Sequence, residues 1–142
     1  MKDQATDDMP KLDVRHPLDP ITADEILTVK SVLEAAGYKG EGVRYSYVML
    51  REPTRETLRS FKPADPVPRE ISALVTDVPG RTINHVVVDV PTKTILKDVA
   101  QDPATDGWGP VLDEEYLSAG EICKADTRYV EALAKRGITA LD

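Results

Sequence analysis

Cysteine is almost missing from this chain. Cys123 is the only one among 142 residues, which excludes an internal disulfide and a paired-cysteine metal clamp. Aromatic side chains are scarce as well, with one Phe, one Trp and five Tyr, so any core is mostly aliphatic. The longest apolar runs, Val86-Val87-Val88 and Tyr47-Val48-Met49-Leu50, fall far short of the roughly 20 residues that cross a bilayer. Positive charge is in deficit, at 18 Lys+Arg against 25 Asp+Glu. The net charge of -7 repels duplexes and anionic membranes, so neither nucleic acid nor membrane is an expected partner. No strand is followed by a Gly-rich phosphate loop, and no GxSxG or HExxH occurs. Residues 1–10 are acidic and polar, unlike a secretory signal or an Arg-rich transit peptide. A reducing, cytosol-like compartment is the default expectation.

What is present describes a globular chain, with 41% hydrophobic and 30% charged residues. Residues 1–14 read as a disordered leader. His16-Pro17-Leu18-Asp19-Pro20 follows, where two prolines are expected to hold the chain extended. Thr22 and Glu25 form a T-x-x-E capping box, with Ile21 and Ile26 placed as a hydrophobic staple. Ile26, Val29, Leu33 and Ala36 then give one apolar stripe, and Gly37 ends the helix. Val43 to Arg51 alternates, with Val43, Tyr45, Tyr47 and Met49 on one face. Both faces are partly apolar, which predicts an interior strand. Thr54 to Phe61 predicts one or two helical turns, and Lys62 to Pro68, with three prolines, a loop. Strands are expected at Ile71–Thr76, Thr82–Val90 and Thr94–Val99. Val78-Pro79-Gly80-Arg81 reads as a type II turn with Gly80 at positive φ. The sum is an α+β layout, one helix on a four-stranded antiparallel sheet.

Residues 15–100 thus read as a first domain and 101–110, with two Pro, two Gly and Trp108, as a linker. Residues 111–142 predict two helices, one capped by Asp113 and one by Asp126, the latter with Lys135 and Arg136 in its last turn and Gly137 as its C-terminal cap. Two helices bury too little to stand as a domain, so this second α+β unit is expected to be incomplete.

Three patches resemble one family. His16-Pro17-Leu18-Asp19-Pro20-Ile21-Thr22-Ala23-Asp24-Glu25 resembles the opening of the second N-terminal domain of copper-containing primary amine oxidases. Leu50-Arg51-Glu52-Pro53 is similar to the end of that domain's first strand. Leu112-Asp113-Glu114-Glu115-Tyr116, Lys124-Ala125-Asp126 and Ala132 to Thr139 resemble the start of the third N-terminal domain. The resemblance implies a cystatin-like fold for residues 15–100 and a truncated third-domain unit for 111–142. It also implies a homodimeric parent, cytoplasmic or peroxisomal, that uses copper and topaquinone to convert primary amines to aldehyde, ammonia and hydrogen peroxide. The catalytic domain of that parent is the implied partner.

The residues for that chemistry are not in this chain. The family's quinone forms from a tyrosine following Asn, whereas Tyr38, Tyr45, Tyr47, Tyr116 and Tyr129 follow Gly, Arg, Ser, Glu and Arg. The copper site takes three imidazoles, and only His16 and His85 are available. No catalytic, cofactor-binding or metal-ligating residue is therefore assigned. His85 reads as a surface or cross-strand residue and His16 as a loop contact. Asp113-Glu114-Glu115 favours a helix start, and Cys123 reads as a buried packing residue. Trp108 reads equally as an interface anchor or as a plug at the domain junction. The leading expectation is a non-catalytic N-terminal fragment of an amine oxidase. The alternatives are a free-standing cystatin-like binding module and an independent hydrolase, the last lacking an evident nucleophile–base pair.

Overall fold

The computed structural model describes residues 14–140. The expected leader, apart from Val14, lies outside them. The chain divides into two compact units, Met1–Gly109 and Pro110–Asp142.

In the first unit, α1 (Ala23–Ala35) starts at the expected capping box: Thr22 accepts from the Glu25 amide, and the Glu25 carboxylate accepts from the Thr22 amide. It ends in a Schellman-type closure, with the Tyr38 amide donating to the Leu33 carbonyl and Gly37 at φ 104. The sheet follows as β1 (Val43–Arg51), β2 (Glu70–Asp77), β3 (Thr82–Asp89) and β4 (Thr94–Ala100), with a short α2 (Arg55–Ser60) between the first two strands. All neighbours pair antiparallel in the order β1-β2-β3-β4. The α+β expectation of one helix and four strands holds.

One face of the sheet meets α1. Val29 and Leu33 pack into Ile71, Ala73, Val75, Val86 and Val88, which forms the aliphatic core. Burying side chains of this size contributes about 1.5–3 kcal/mol each before entropy is subtracted.

Three local expectations need correction. β1 is an edge strand, not an interior one, and its apolar second face is explained by a bulge. The register slips between Tyr45 and Tyr47, so Val43, Tyr45 and Val48 pack toward the helix. Tyr47 and Met49 pair with Leu74 and Ser72 on the opposite face. The 78–81 turn is not type II. Its positive φ falls at Arg81 (φ 53), after an Arg81 amide to Val78 carbonyl bond. The Asp77 carboxylate caps the Gly80 amide and favours this geometry. The next hairpin repeats it: the Lys93 amide bonds Val90 and Lys93 sits at φ 57. Finally, residues 16–19 form a turn closed by the Asp19 amide on the His16 carbonyl, not an extended segment.

Behind the core, the second face of the sheet is partly roofed by residues 101–109. The Gln101 amide donates to the Ile83 carbonyl at 2.7 Å. A Cβ on Gly109 would lie 3.6 Å from Ile83 and 3.7 Å from Leu74. Leu74, beside Gly109, and Val87 are both buried on this face.

In the second unit, α3 (Asp113–Ala125) and α4 (Thr127–Ala134) contact each other, but neither has a buried residue. Asp126 caps α4 as expected, accepting from the Arg128 amide. Asp113 does not cap α3. Leu112 takes the extended N-cap position, and Glu115 reaches back to its amide at 2.7 Å. The acids instead occupy the first turn, where the helix dipole favours them. Lys135 and Arg136 lie beyond the last helical residue of α4, Ala134, rather than in its last turn.

Gly42 tests the sheet's corner. Its carbonyl accepts from the Val78 amide, and a Cβ there would overlap the Pro79 ring. Gly42→Ala is expected to destabilise the chain by about 1–3 kcal/mol through overpacking, read from the urea midpoint. An unchanged midpoint contradicts the close approach.

Candidate functional site

The most highly organised polar centre in the chain surrounds Arg69, at the entry to β2. Its exposure is 4%, and the buried partner is Glu25 at 8%. Nε donates to Glu25 Oε1 at 2.7 Å and Nη2 to Oε2 at 2.9 Å, a bidentate pair. The remaining donors reach three carbonyls of the preceding turn: Pro17 at 3.3 Å, Asp19 at 2.8 Å and Pro20 at 3.2 Å. Among the described residues no buried side-chain polar atom lacks a partner.

Local sequence explains the arrangement. Glu25, Val29 and Leu33 are the buried residues of α1, spaced four apart on one face. A glutamate therefore stands at a core position of the helix stripe and brings a charge with it. Prolines at 17 and 20 lack amides, and the Pro17 and Pro20 carbonyls face the guanidinium. The Asp19 carboxylate turns the other way and accepts from the Arg15 and His16 amides, both at 2.8 Å. Burial disfavours the charged form of Glu25. The Arg69 guanidinium, the Thr22 amide and the Thr22 hydroxyl more than offset this and hold its carboxyl below the ordinary value.

The histidines are held apart by different partners. His16 Nδ1 accepts from the Leu18 amide at 3.1 Å, and its ring meets Phe61 edge-on, centroids 5.5 Å apart. His85 lies on the second sheet face, with Ser72 at Nε2 and Lys97 Nζ 3.5 Å from Nδ1. Ser72 Oγ and His85 Nε2 share one hydrogen bond whose direction depends on the ring's tautomer. Burial, then Lys97, then Arg51 lower the His85 pKa.

The tyrosines serve structure. The Tyr38 hydroxyl donates to Asp98 at 2.7 Å, and Asn84 Nδ2 reaches the same carboxylate at 2.8 Å. Burial and Asp98 together push the Tyr38 pKa up to about 12. Tyr45 donates to the Tyr38 carbonyl. Among the described residues no group of three or more His, Cys, Asp or Glu is arranged to hold a metal.

Two further residues depart from simple packing. Cys123 is exposed, not buried as its apolar surroundings predict. Tyr116, Leu117 and Ile122 on the same helix are also exposed. Trp108 is 82% exposed. Arg69, the key polar residue, was missed by sequence reasoning. A signal was available in the buried-face spacing of Glu25, which calls for a cation elsewhere in the chain.

With this geometry in view, the comparisons are specific. The model of the AGAO-like N2 domain matches residues 22–98, from the Thr22 cap to the Asp98 carboxylate. The chain is 33% identical over 137 residues to a primary amine oxidase and to a copper methylamine oxidase, both of Arthrobacter sp. (strain P1). Each match covers 91% of this chain and 19% of the relative. It is 30% identical over 125 residues to the histamine oxidase of Arthrobacter globiformis, covering 88% of this chain and 18% of that one. The chain belongs to the AGAO-like N2 domain family, the N-terminal region of copper-containing primary amine oxidases. It spans about a fifth of the length of the relatives it matches.

Arg69→Met is expected to cost about 3–5 kcal/mol, because it leaves Glu25 buried without a counter-charge, and a further Glu25→Leu change should recover part of that loss. The pH dependence has a definite sign. The folded Glu25 carboxyl stays ionised to lower pH than an unfolded one, whose ordinary value is 4.5. Its stabilisation is therefore full above about that pH and lost as pH falls through the folded pKa. Urea titrations from pH 7 to 3 check both. A single substitution costing under 1 kcal/mol contradicts the assignment.

Proposed function

We propose that this chain is a non-catalytic N-terminal segment of a copper and topaquinone primary amine oxidase. It forms peripheral structure that packs around a catalytic domain carried elsewhere in the parent. The parent reaction is oxidative deamination of a primary amine to aldehyde, ammonia and hydrogen peroxide. The parent is a homodimer of the cytoplasm or peroxisome.

The observation that carries this reading is the asymmetry of coverage. Nine-tenths of the chain aligns with copper amine oxidases, yet it spans only about a fifth of them. Two further features support it. Both histidines are engaged by local partners, and no tyrosine follows an asparagine. The polar chemistry that is present is structural: Arg69 and Glu25 tie loop to helix to strand. Among the described residues no helix is long and apolar enough to cross a membrane.

The free-standing binding module is the less favoured reading. The sheet face it would use is crossed by residues 101–109, which bury Leu74.

Purified chain supplied with copper and either benzylamine or tyramine is expected to release no peroxide and develop no quinone absorbance. Amine-dependent turnover overturns the reading. Deleting residues 110–142 should leave the helix-on-sheet unit melting as a single cooperative transition, since its core is complete without them.

A further inference from the structure

The segment from Gln101 to Gly109 is built more firmly than a connector requires. The Asp102 carbonyl accepts from both the Thr105 and Asp106 amides, at 3.0 and 2.7 Å. The Asp102 carboxylate accepts from the Ala104 amide at 2.9 Å, and the Asp106 carboxylate returns a bond to the Asp102 amide at 2.8 Å. The Gln101 amide pins one end of the segment to β3. At the other end Gly109 passes close to β2 and β3, where an added Cβ would stand 3.6 Å from Ile83 and 3.7 Å from Leu74.

Between these fixed points Gly107 adopts φ 86, a conformation that side chains rarely take. Trp108 follows it and is 82% exposed, the largest value among the exposed apolar side chains. It is also the only Trp in the chain. A flexible loop would let an indole fold onto the neighbouring apolar surface. This loop holds it in water instead. A rigid aromatic displayed on an ordered loop binds with little entropic loss, which is the character of an interface hot spot.

From this we infer that Trp108 is an anchor residue that inserts into an apolar cavity on the remaining, catalytic portion of the parent oxidase. The inference rests on the functional reading above. The occupant follows from the comparison: a match taking in 91% of the chain necessarily includes Trp108, and about four-fifths of the matched relative lies outside the match. A second copy of this chain and a small apolar ligand are the competing occupants.

The test is hydroxyl-radical footprinting with residue-level mass spectrometry. It is applied to the isolated chain and to the native protein recovered by antibodies against this chain. In the isolated chain Trp108 should oxidise at the rate of a free indole, while sedimentation shows a monomer. In the native parent it should be protected at least tenfold, and Trp108→Ala should lower the parent's melting temperature while leaving the isolated chain's unchanged. Equal reactivity in both samples overturns the anchor and leaves the oxidase reading intact. Protection already present in a dimer of the isolated chain overturns it in favour of self-association. Recovery of only a 15.6 kDa species defeats the oxidase reading and this inference together.

Discussion

The guanidinium of Arg69 joins three parts of the chain that are distant in sequence. It reads the carbonyls of the 16–20 turn, fixes the carboxylate that caps α1, and sits at the mouth of β2. The backbone carbonyl of the same residue accepts from the Val90 amide just beyond β3. Its buried partner, the Glu25 carboxylate, would otherwise be a buried charge without a counter-charge, and removing one member of such a pair costs about 3–5 kcal/mol. Because all its partners are satisfied at once, the helix can sit on the sheet in one orientation only. A buried ion pair of this kind specifies geometry more than it adds net stability.

The chain's two units contrast in how completely they bury what they carry. In the first, both sheet faces are served, one by α1 and the other in part by the 101–109 segment. The sheet's outer strand β4 is exposed along nearly its whole length, yet it is poorly suited to recruit another strand. It carries a register slip near Val87 and Val88 and presents Lys97 on the face it shares with His85. In the second unit the helix pair displays Tyr116, Leu117, Ile122 and Tyr129. The first unit, by contrast, buries Val29, Leu33 and the inward residues of β2 and β3.

Much of the fold was legible because it depends on local rules. The T-x-x-E box, Gly37, and the β-branched run in β3 each specify one conformation through nearest neighbours, and all three formed as expected. The departures arise where the decisive partner is remote or the competing geometries are close in energy. The β1 bulge depends on pairing with β2, which alternation in β1 alone does not contain. The αL conformation at Arg81 follows from hairpin twist and the Asp77 side chain, against the ordinary preference for Gly80. Cys123 lies on an apolar side of α3 that is exposed, so an apolar pattern within one helix does not by itself report burial. The role of Arg69 is not legible locally because its partner lies 44 residues away.

Turn, helix and strand form one cooperative element through this guanidinium. Native-state hydrogen exchange measures that directly. The amides of Val29 to Leu33 in α1 and of Ile71 to Val75 in β2 should open with the same free energy and the same denaturant dependence. Exchange of α1 through a separate opening of much lower free energy, with β2 still fully protected, would contradict the account.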